Sequence, residues 1–405
     1  MATTAPEIQA APPAGGGQDQ PEASPPHGAV VRVLGPVALL VGSFAVALIL
    51  AEVVVRIFAP QQLVLIRPDI WQPVDSVGWR FRPNLNTTVN TGERTVHVYT
   101  DRDGFRVGRA GRVAAATRAL LIGDSFMAAL QVEYEQSLAG LLEERLPGDV
   151  GRPVEIRNAG QAGWDTPQYF LEARSTLNRD SFALMVVSVY LGNDVFKTRP
   201  EHIPPRLPVE TYEFRLPRHL TGGEFVAAFF RPINDFLKRR SHAFVFFKTR
   251  LHTTLLRLGL AADDFPEEFL KSQAASPRWD VTSGILADIA GLASRKGIPT
   301  LFVLIPAPFQ VEPAVFQRYV RGFRVDSSQF YVDQPTRLMR DRLQARGLAV
   351  LDVLPAFRAA DRQGARLYGS VDPHLTPHGH EVLEALVAPR IAALLQQPVK
   401  RGPRP

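Results

Sequence analysis

Ala119-Leu120-Leu121-Ile122-Gly123-Asp124-Ser125-Phe126 is a short apolar run that stops at a glycine and delivers an acid and a serine. Four apolar residues in a row suit a strand covered on both faces, and Gly123 ends it. An amphipathic stretch follows at 135–146, with Leu138, Leu141, Leu142 and Leu146 at helical spacing. A strand that gives way to a helix at Asp124-Ser125 exposes the serine hydroxyl at the carboxyl edge of a sheet, near the free amides of the next helix. Serine is a weak nucleophile at its own pKa and needs an adjacent base. A serine after a strand is also an ordinary helix cap, so this triplet decides the chemistry only in company.

The strand–helix rhythm continues outward from there. Val154-Glu155-Ile156 reads as a strand, 165–177 as a helix, and 182–190 (FALMVVSVY) as a buried strand. Further on come a helix at 281–296, a strand at 300–305 (TLFVLI), a helix at 335–346, a strand at 349–353 and a closing helix at 377–396. Alternation of this kind predicts an α/β domain with a parallel sheet. Residues 196–278 break the rhythm. They hold Pro200, Pro204, Pro205, Pro208 and Pro217, then Phe225, Phe229, Phe230, Phe236, Phe244, Phe246 and Phe247. We read them as an insertion forming a cap beside the sheet. Its aromatics serve either as packing core or as a surface for acyl chains or the membrane.

The partner for Ser125 stands near the C-terminus, in Val371-Asp372-Pro373-His374-Leu375-Thr376-Pro377-His378-Gly379-His380. A carboxylate and an imidazole two residues apart can face one site from a loop, with the acid orienting the base. His374, His378 and His380 with Asp372 also offer nitrogen and oxygen ligands to a metal. A helix starting near Pro377 would point His378 and His380 apart, so no metal is expected, and His378 or His380 sits on or caps that helix. Serine chemistry implies no cofactor.

Before the domain, residues 1–29 are rich in Ala, Pro, Gly, Gln and Glu, with almost no large apolar side chains. Such a segment cannot bury enough surface to offset its ordering entropy and reads as a disordered tail. Residues 33–51 (VLGPVALLVGSFAVALILA) carry no charge. About 20 residues of helix cross a hydrocarbon core of about 30 Å. Arg32 and Arg56 bracket the run, with Glu52 at its far end. It is too long and too uniformly apolar for a cleaved signal or a core helix, and 30–58 is expected to be a membrane anchor. Pro36 would fall in its first turn. Residues 59–116 form an approach segment: Gly78-Trp79-Arg80-Phe81, Pro83-Asn84, an alternating strand at 96–99, a turn at Asp103-Gly104, then Phe105-Arg106.

The whole chain has 405 residues, 45% hydrophobic and 21% charged, an ordinary globular composition. Its charge of +6 comes from scattered Arg and Lys without a dense basic run, which argues against a nucleic-acid partner. With no cysteine, disulfides, thiolate metal sites and a cysteine nucleophile are excluded.

Four blocks in order resemble those of the SGNH/GDSL hydrolase superfamily: Gly123-Asp124-Ser125-Phe126, Asn158-Ala159-Gly160-Gln161-Ala162-Gly163, Leu191-Gly192-Asn193-Asp194 and Asp372-Pro373-His374. The resemblance implies a flavodoxin-like three-layer α/β/α fold over residues 117–398. It implies Ser125 as nucleophile, Asp372 and His374 as acid and base, and an oxyanion hole from Ser125, Gly163 and Asn193. Asp124 and Asp194 are expected to tie loops together. The flanks are similar to bacterial membrane-tethered members, which places the domain outside the cytoplasm, on the periplasmic side. The first block lacks the leucine of the GDSL name, and the single residue between Asp372 and His374 resembles O-acetyltransferase-like members acting on exopolysaccharide. The expectation is a serine esterase acting on O-acyl groups of an envelope carbohydrate or on small esters. The alternatives are an O-acyltransferase in polysaccharide modification and a non-catalytic module that binds glycan or a partner protein. Retention of all four blocks speaks against the last.

Overall fold

The structure, a computed structural model, describes residues 27–195 apart from 62, 64–68 and 92, residues 233–257 apart from 235 and 239, and residues 267–397 apart from 324–325 and 371. Nearly all of the tail and residues 196–232 of the insertion lie outside the described residues. The chain divides into two compact units, Met1–Ala51 and Glu52–Pro405.

Helix α1 (His27–Phe58) contains the apolar run. Gly35–Phe58, 24 residues, is the one helix among the described residues long and apolar enough to cross a membrane. The helix starts at His27, so Pro36 lies in its third turn and not in the first as the sequence suggested. Next come a hairpin, β1 (Trp71–Val74) with β2 (Gly78–Phe81), and then β3 (Asn86–Asn90), β4 (Thr95–Thr100) and β5 (Arg106–Val107).

The domain proper runs β6 (Thr117–Ile122), α2 (Ser125–Ala128), α3 (Leu138–Val150), β7 (Val154–Asn158), α4 (Thr166–Arg179) and β8 (Leu184–Tyr190). Within the insertion lies α5 (His242–Arg257), and after it come α6 (Arg278–Ser294), β9 (Thr300–Ile305), α7 (Pro308–Val311), α8 (Pro313–Phe323) and α9 (Gln334–Ala345). It ends with β10 (Ala349–Asp352), α10 (Leu354–Arg362) and α11 (Pro377–Gln396). Sequence periodicity located the long helices outside the insertion to within a few residues, gave the aromatic and basic helical portion that holds α5 no bounds, and missed α7, α8 and α10, which carry too few periods to stand out.

The main sheet has the order β10-β9-β8-β6-β7-β5-β4-β3. Its first five strands are parallel, and β5, β4 and β3 continue it antiparallel beyond β7. The approach segment therefore extends the same sheet through β5, where Arg106 pairs with Asn158. Along β6, Ala119 and Leu121 face one apolar layer and Leu120 and Ile122 the other; Val186 and its neighbours Met185 and Val187 do the same on β8. Alternation with both faces buried is what makes these strands read as unbroken apolar runs. Helices α3, α10 and α11 cover the first face, and α4, α6 and α9 the second. Each of the larger of these strand side chains, the leucines, Ile122, Met185 and the valines, contributes ~1.5–3 kcal/mol by leaving water. The result is a three-layer α/β/α architecture.

Caps set the helix ends. The Ser137 hydroxyl accepts from Gly140 N–H at the start of α3, and Thr376 Oγ1 accepts from Gly379 N–H at the start of α11. Phe269 from the insertion packs with Ala307, Phe309 and Phe330 as core, whereas Phe236 and Phe247 are exposed.

Candidate active site

Strand β6 ends at the carboxyl edge and the chain turns at once into the single turn of α2. Asp124 caps that turn, its Oδ1 accepting from Phe126 N–H at 3.0 Å. This holds Ser125 at the first helical position. Ser125 Oγ lies 2.7 Å from His374 Nε2, and His374 Nδ1 is hydrogen-bonded to Asp372 Oδ1. Sequence positions 125, 372 and 374 thus meet in one chain of hydrogen bonds.

Backbone pairing shapes the loop that carries Asp372 and His374. Gly369 N–H donates to His374 O at 2.9 Å and Thr376 N–H to Leu367 O at 2.9 Å. A Cβ at Gly369 would lie 2.2 Å from Asp372 O, so only glycine lets this turn close. Tyr368 is buried and its hydroxyl donates to Pro306 O at 2.7 Å, tying the loop to the end of β9. Phe126 stacks on Tyr190 at 4.2 Å between centroids and lies against the His374 ring at 4.8 Å, which fixes the imidazole's tilt.

Two loops flank Ser125 because β7 and β8 flank β6. Gly163 lies in the loop after β7, exposed and with φ +77°. Asn193 lies in the loop after β8 and is also exposed. The first loop is held by Asn158, which donates to Met127 O at 2.8 Å and accepts from Gly160 N–H at 2.9 Å. Gln161 N–H donates to Gly123 O, and Gln161 Oε1 accepts from Phe81 N–H at 2.9 Å. The second loop is held by Asp194, which accepts from Tyr190 N–H at 2.8 Å and from the Tyr169 hydroxyl at 2.9 Å. Asp124 and Asp194 therefore act on loop geometry, as their place in the sequence suggested.

The electrostatics follow burial. Desolvation pushes the Asp124 carboxyl up to about 6, against the pull of Phe126 N–H and of His374. Burial, and then the charge of Asp124, push Asp194 well above the usual carboxylate range. For His374 burial works against the charged form, but the hydrogen bond to Asp372, the charge of Asp372 and that of Asp124 outweigh it, and the imidazole is raised above 6.5. His380 is buried on α11 and held down at about 3 by burial and by the positive charges of Arg106 and His374. Its neutral Nδ1 accepts from Leu138 N–H at 3.2 Å. His378 is exposed and pairs with Glu381.

Three residues in this site were not read from the sequence as site residues, although Arg106 stood in the quoted Phe105-Arg106. Gln131 Nε2 donates to Asp372 Oδ2 at 2.8 Å. Arg106, fully buried, donates to the carbonyls of Ala128, Ala129 and Val132, the backbone on either side of Gln131. Glu93 accepts from the N–H and hydroxyl of Ser370, at 2.5 and 2.7 Å. All three are isolated polar positions in sequence, and only tertiary contact gives them partners.

Residues 265–404 match the family model described as the SGNH hydrolase-like domain of acetyltransferase AlgX. That stretch contains Asp372 and His374 but not Ser125. Among solved structures the chain is similar to TesA, at 15% identity over 69% of this chain and 99% of that one, TM-score 0.36. It is similar to the lipase/acylhydrolase from Enterococcus faecalis, at 13% identity over 71% and 100%, TM-score 0.36. It is also similar to a member of the lipolytic protein G-D-S-L family from Veillonella parvula, at 10% identity over 67% and 96%, TM-score 0.35. No curated protein matches the chain. The fold is SGNH-like, an α/β domain with a mostly parallel central sheet.

Proposed function

We propose that this chain is a serine esterase that works through an acyl-enzyme on Ser125 and acts on O-acyl groups of an envelope carbohydrate. The observation that carries this is the Ser125 Oγ to His374 Nε2 distance of 2.7 Å, backed by the His374–Asp372 hydrogen bond. His374 Nε2 takes the hydroxyl proton as Ser125 Oγ attacks the ester carbonyl. The amides of Ser125 and Gly163 and the side-chain amide of Asn193 receive the oxyanion. The tetrahedral species collapses, the C–O bond breaks, and His374 returns the proton to the leaving alcohol. Water enters next, loses a proton to His374, attacks the acyl-enzyme and releases the carboxylic acid; Ser125 regains its proton.

A second reading is favoured by the family match to an acetyltransferase domain: a sugar hydroxyl replaces water in the second half-reaction and becomes O-acylated. In both readings α1 anchors the domain in a membrane as a single span, and the domain works on the periplasmic side. The length and composition of Gly35–Phe58 support the anchor.

The test is turnover of p-nitrophenyl acetate by the full chain beside Ser125→Ala, with and without a glycan oligomer. Nitrophenol release by the wild type alone, with an acetyl adduct trapped on Ser125, supports the esterase; acetylated glycan moves the reading to transfer. A folded wild type that turns over no acyl ester and traps no adduct overturns both.

A further inference from the structure

The residue that follows the apolar run does more than end it. Glu52 belongs to the same compact unit as the catalytic domain. Its carboxylate accepts from the Ser241 hydroxyl at 2.7 Å and from the N–H groups of His242 and Ala243 at 3.1 and 3.0 Å. Glu52 therefore caps α5, and an anion at a helix N-terminus is favoured by its free amides and dipole. Arg56 donates to Arg240 O at 3.1 Å, and Gln61 N–H to His242 Nδ1 at 2.8 Å. The start of α5 is thus bolted to the chain just where it leaves the apolar segment.

Helix α5 sinks Ala243 into the domain and then emerges. Phe244, Val245 and Phe246 are half-buried, while 247–251 and Thr254 are exposed. Phe247 and Leu251, 56% and 61% exposed, are four apart and share one stripe. Lys248 flanks that stripe on one side and Arg250 on the other. Upstream, Ile233 and Phe236 are exposed as well. From Phe236 to Arg257 inclusive no acidic residue occurs, against six lysines and arginines. Three of the cations rest on rings: Arg240 over Phe236 at 4.7 Å, Arg250 over Phe246 at 5.2 Å and Lys248 over Phe244 at 5.9 Å. Long stems on an apolar face with charged heads at its border fit an interface between hydrocarbon and anionic headgroups.

We propose that α5 is an interfacial helix that lies on an anionic lipid surface, with Phe247 and Leu251 in the headgroup region and Lys248 and Arg250 on lipid phosphates. This rests on the membrane-anchored reading of α1. The charge balance and the direct continuity with the apolar segment favour lipid over a protein partner, whose docking face would have to supply the acids that this stretch lacks. The consequence is that the domain itself, through a helix pinned to Glu52, makes a contact with lipid of its own.

The chain has no cysteine, so single cysteines can be placed and labelled cleanly. The full chain carrying Phe247→Cys or Leu251→Cys, labelled with a polarity-sensitive fluorophore, is reconstituted into vesicles of phosphatidylethanolamine and phosphatidylglycerol. Glu144→Cys, exposed on α3, is the control. Quenching at 247 and 251 by lipid-borne nitroxide, protection from aqueous iodide there, and the reverse at 144 are expected. That pattern should be lost in phosphatidylcholine vesicles or when Lys248→Glu and Arg250→Glu are added. Iodide access at 247 and 251 equal to that at 144, in protein that floats with vesicles, overturns the inference while leaving the anchor intact. Protection from both quenchers means a protein covers α5 and also overturns it. Failure to float removes the anchor reading itself.

Discussion

Gln131 Nε2 donates to Asp372 Oδ2 at 2.8 Å across 241 residues of chain. Asp372 thereby has one oxygen on His374 and the other on a side chain from the loop that follows α2, the turn that carries Ser125. That loop is held in turn by Arg106, which comes from a strand outside the parallel sheet. The geometry of the triad is therefore shared between the domain and the approach segment that precedes it.

Replacing Gln131 by leucine should lower kcat by about tenfold or more, since a hydrogen bond to a charged group contributes ~1.5–3 kcal/mol and 1.36 kcal/mol is a factor of ten. KM for a small ester should change little, because Gln131 reaches the acid and not the substrate. Steady-state kinetics on p-nitrophenyl acetate check this; an unchanged kcat would show that Asp372 is oriented without Gln131.

In the proposed mechanism His374 must be neutral to accept the Ser125 proton, and its imidazole is raised above 6.5 through Asp372 in spite of burial. Activity should rise with pH along a limb whose midpoint lies above 6.5. Asp372→Asn removes the charge that stabilises the imidazolium, so the midpoint should move down while the plateau falls by about 10⁴. A kcat/KM profile from pH 5 to 9 for both forms reads the shift directly.

Asn193→Ala should reduce kcat by about 10²–10³, the usual cost of one oxyanion donor. Ground-state binding should hold, so KM stays near wild type. A change confined to KM would move Asn193 from oxyanion stabilisation to substrate binding.

Arg106→Leu takes the guanidinium donors from the carbonyls of Ala128, Ala129 and Val132, of which Ala129 keeps the N–H of Val132, at ~1–3 kcal/mol for each group left unsatisfied. We expect a loss of several kcal/mol in denaturant unfolding, together with lost activity, because the same carbonyls belong to the backbone that carries Gln131. Arg106→Lys, with one ammonium for a fork of donors, should recover only part of both.

Glu143 is pushed up to about 7 from 4.5, mainly by burial. It accepts from the Tyr134 hydroxyl and from Ile156 N–H. A carboxyl whose folded pKa is raised adds stability that is full below about 4.5 and is lost as pH rises through 7. The melting temperature of Glu143→Gln should therefore fall less than that of the wild type between pH 5 and 8. Parallel curves for the two would place the titration elsewhere.

The sequence by itself determined the strand order in time, the long helices, the apolar α1 and the residue types at positions 125, 372 and 374. These are local properties: unbroken apolar runs mark strands buried on both faces, a 3.6-residue period marks helices, and a glycine or proline marks where each stops. Tertiary structure alone decided that β3, β4 and β5 continue the main sheet beyond β7, because a polar alternating strand carries no label of its neighbour. It alone drew Gln131, Arg106 and Glu93 to the candidate site, since a single polar residue has no period and its partner lies tens to hundreds of positions away. It also separated the histidines of the last block, leaving His374 on Ser125 and burying His380 as a neutral acceptor. Two imidazoles six residues apart look alike in sequence. Burial and the charges around each ring, which exist only in the folded chain, push one pKa up and the other down.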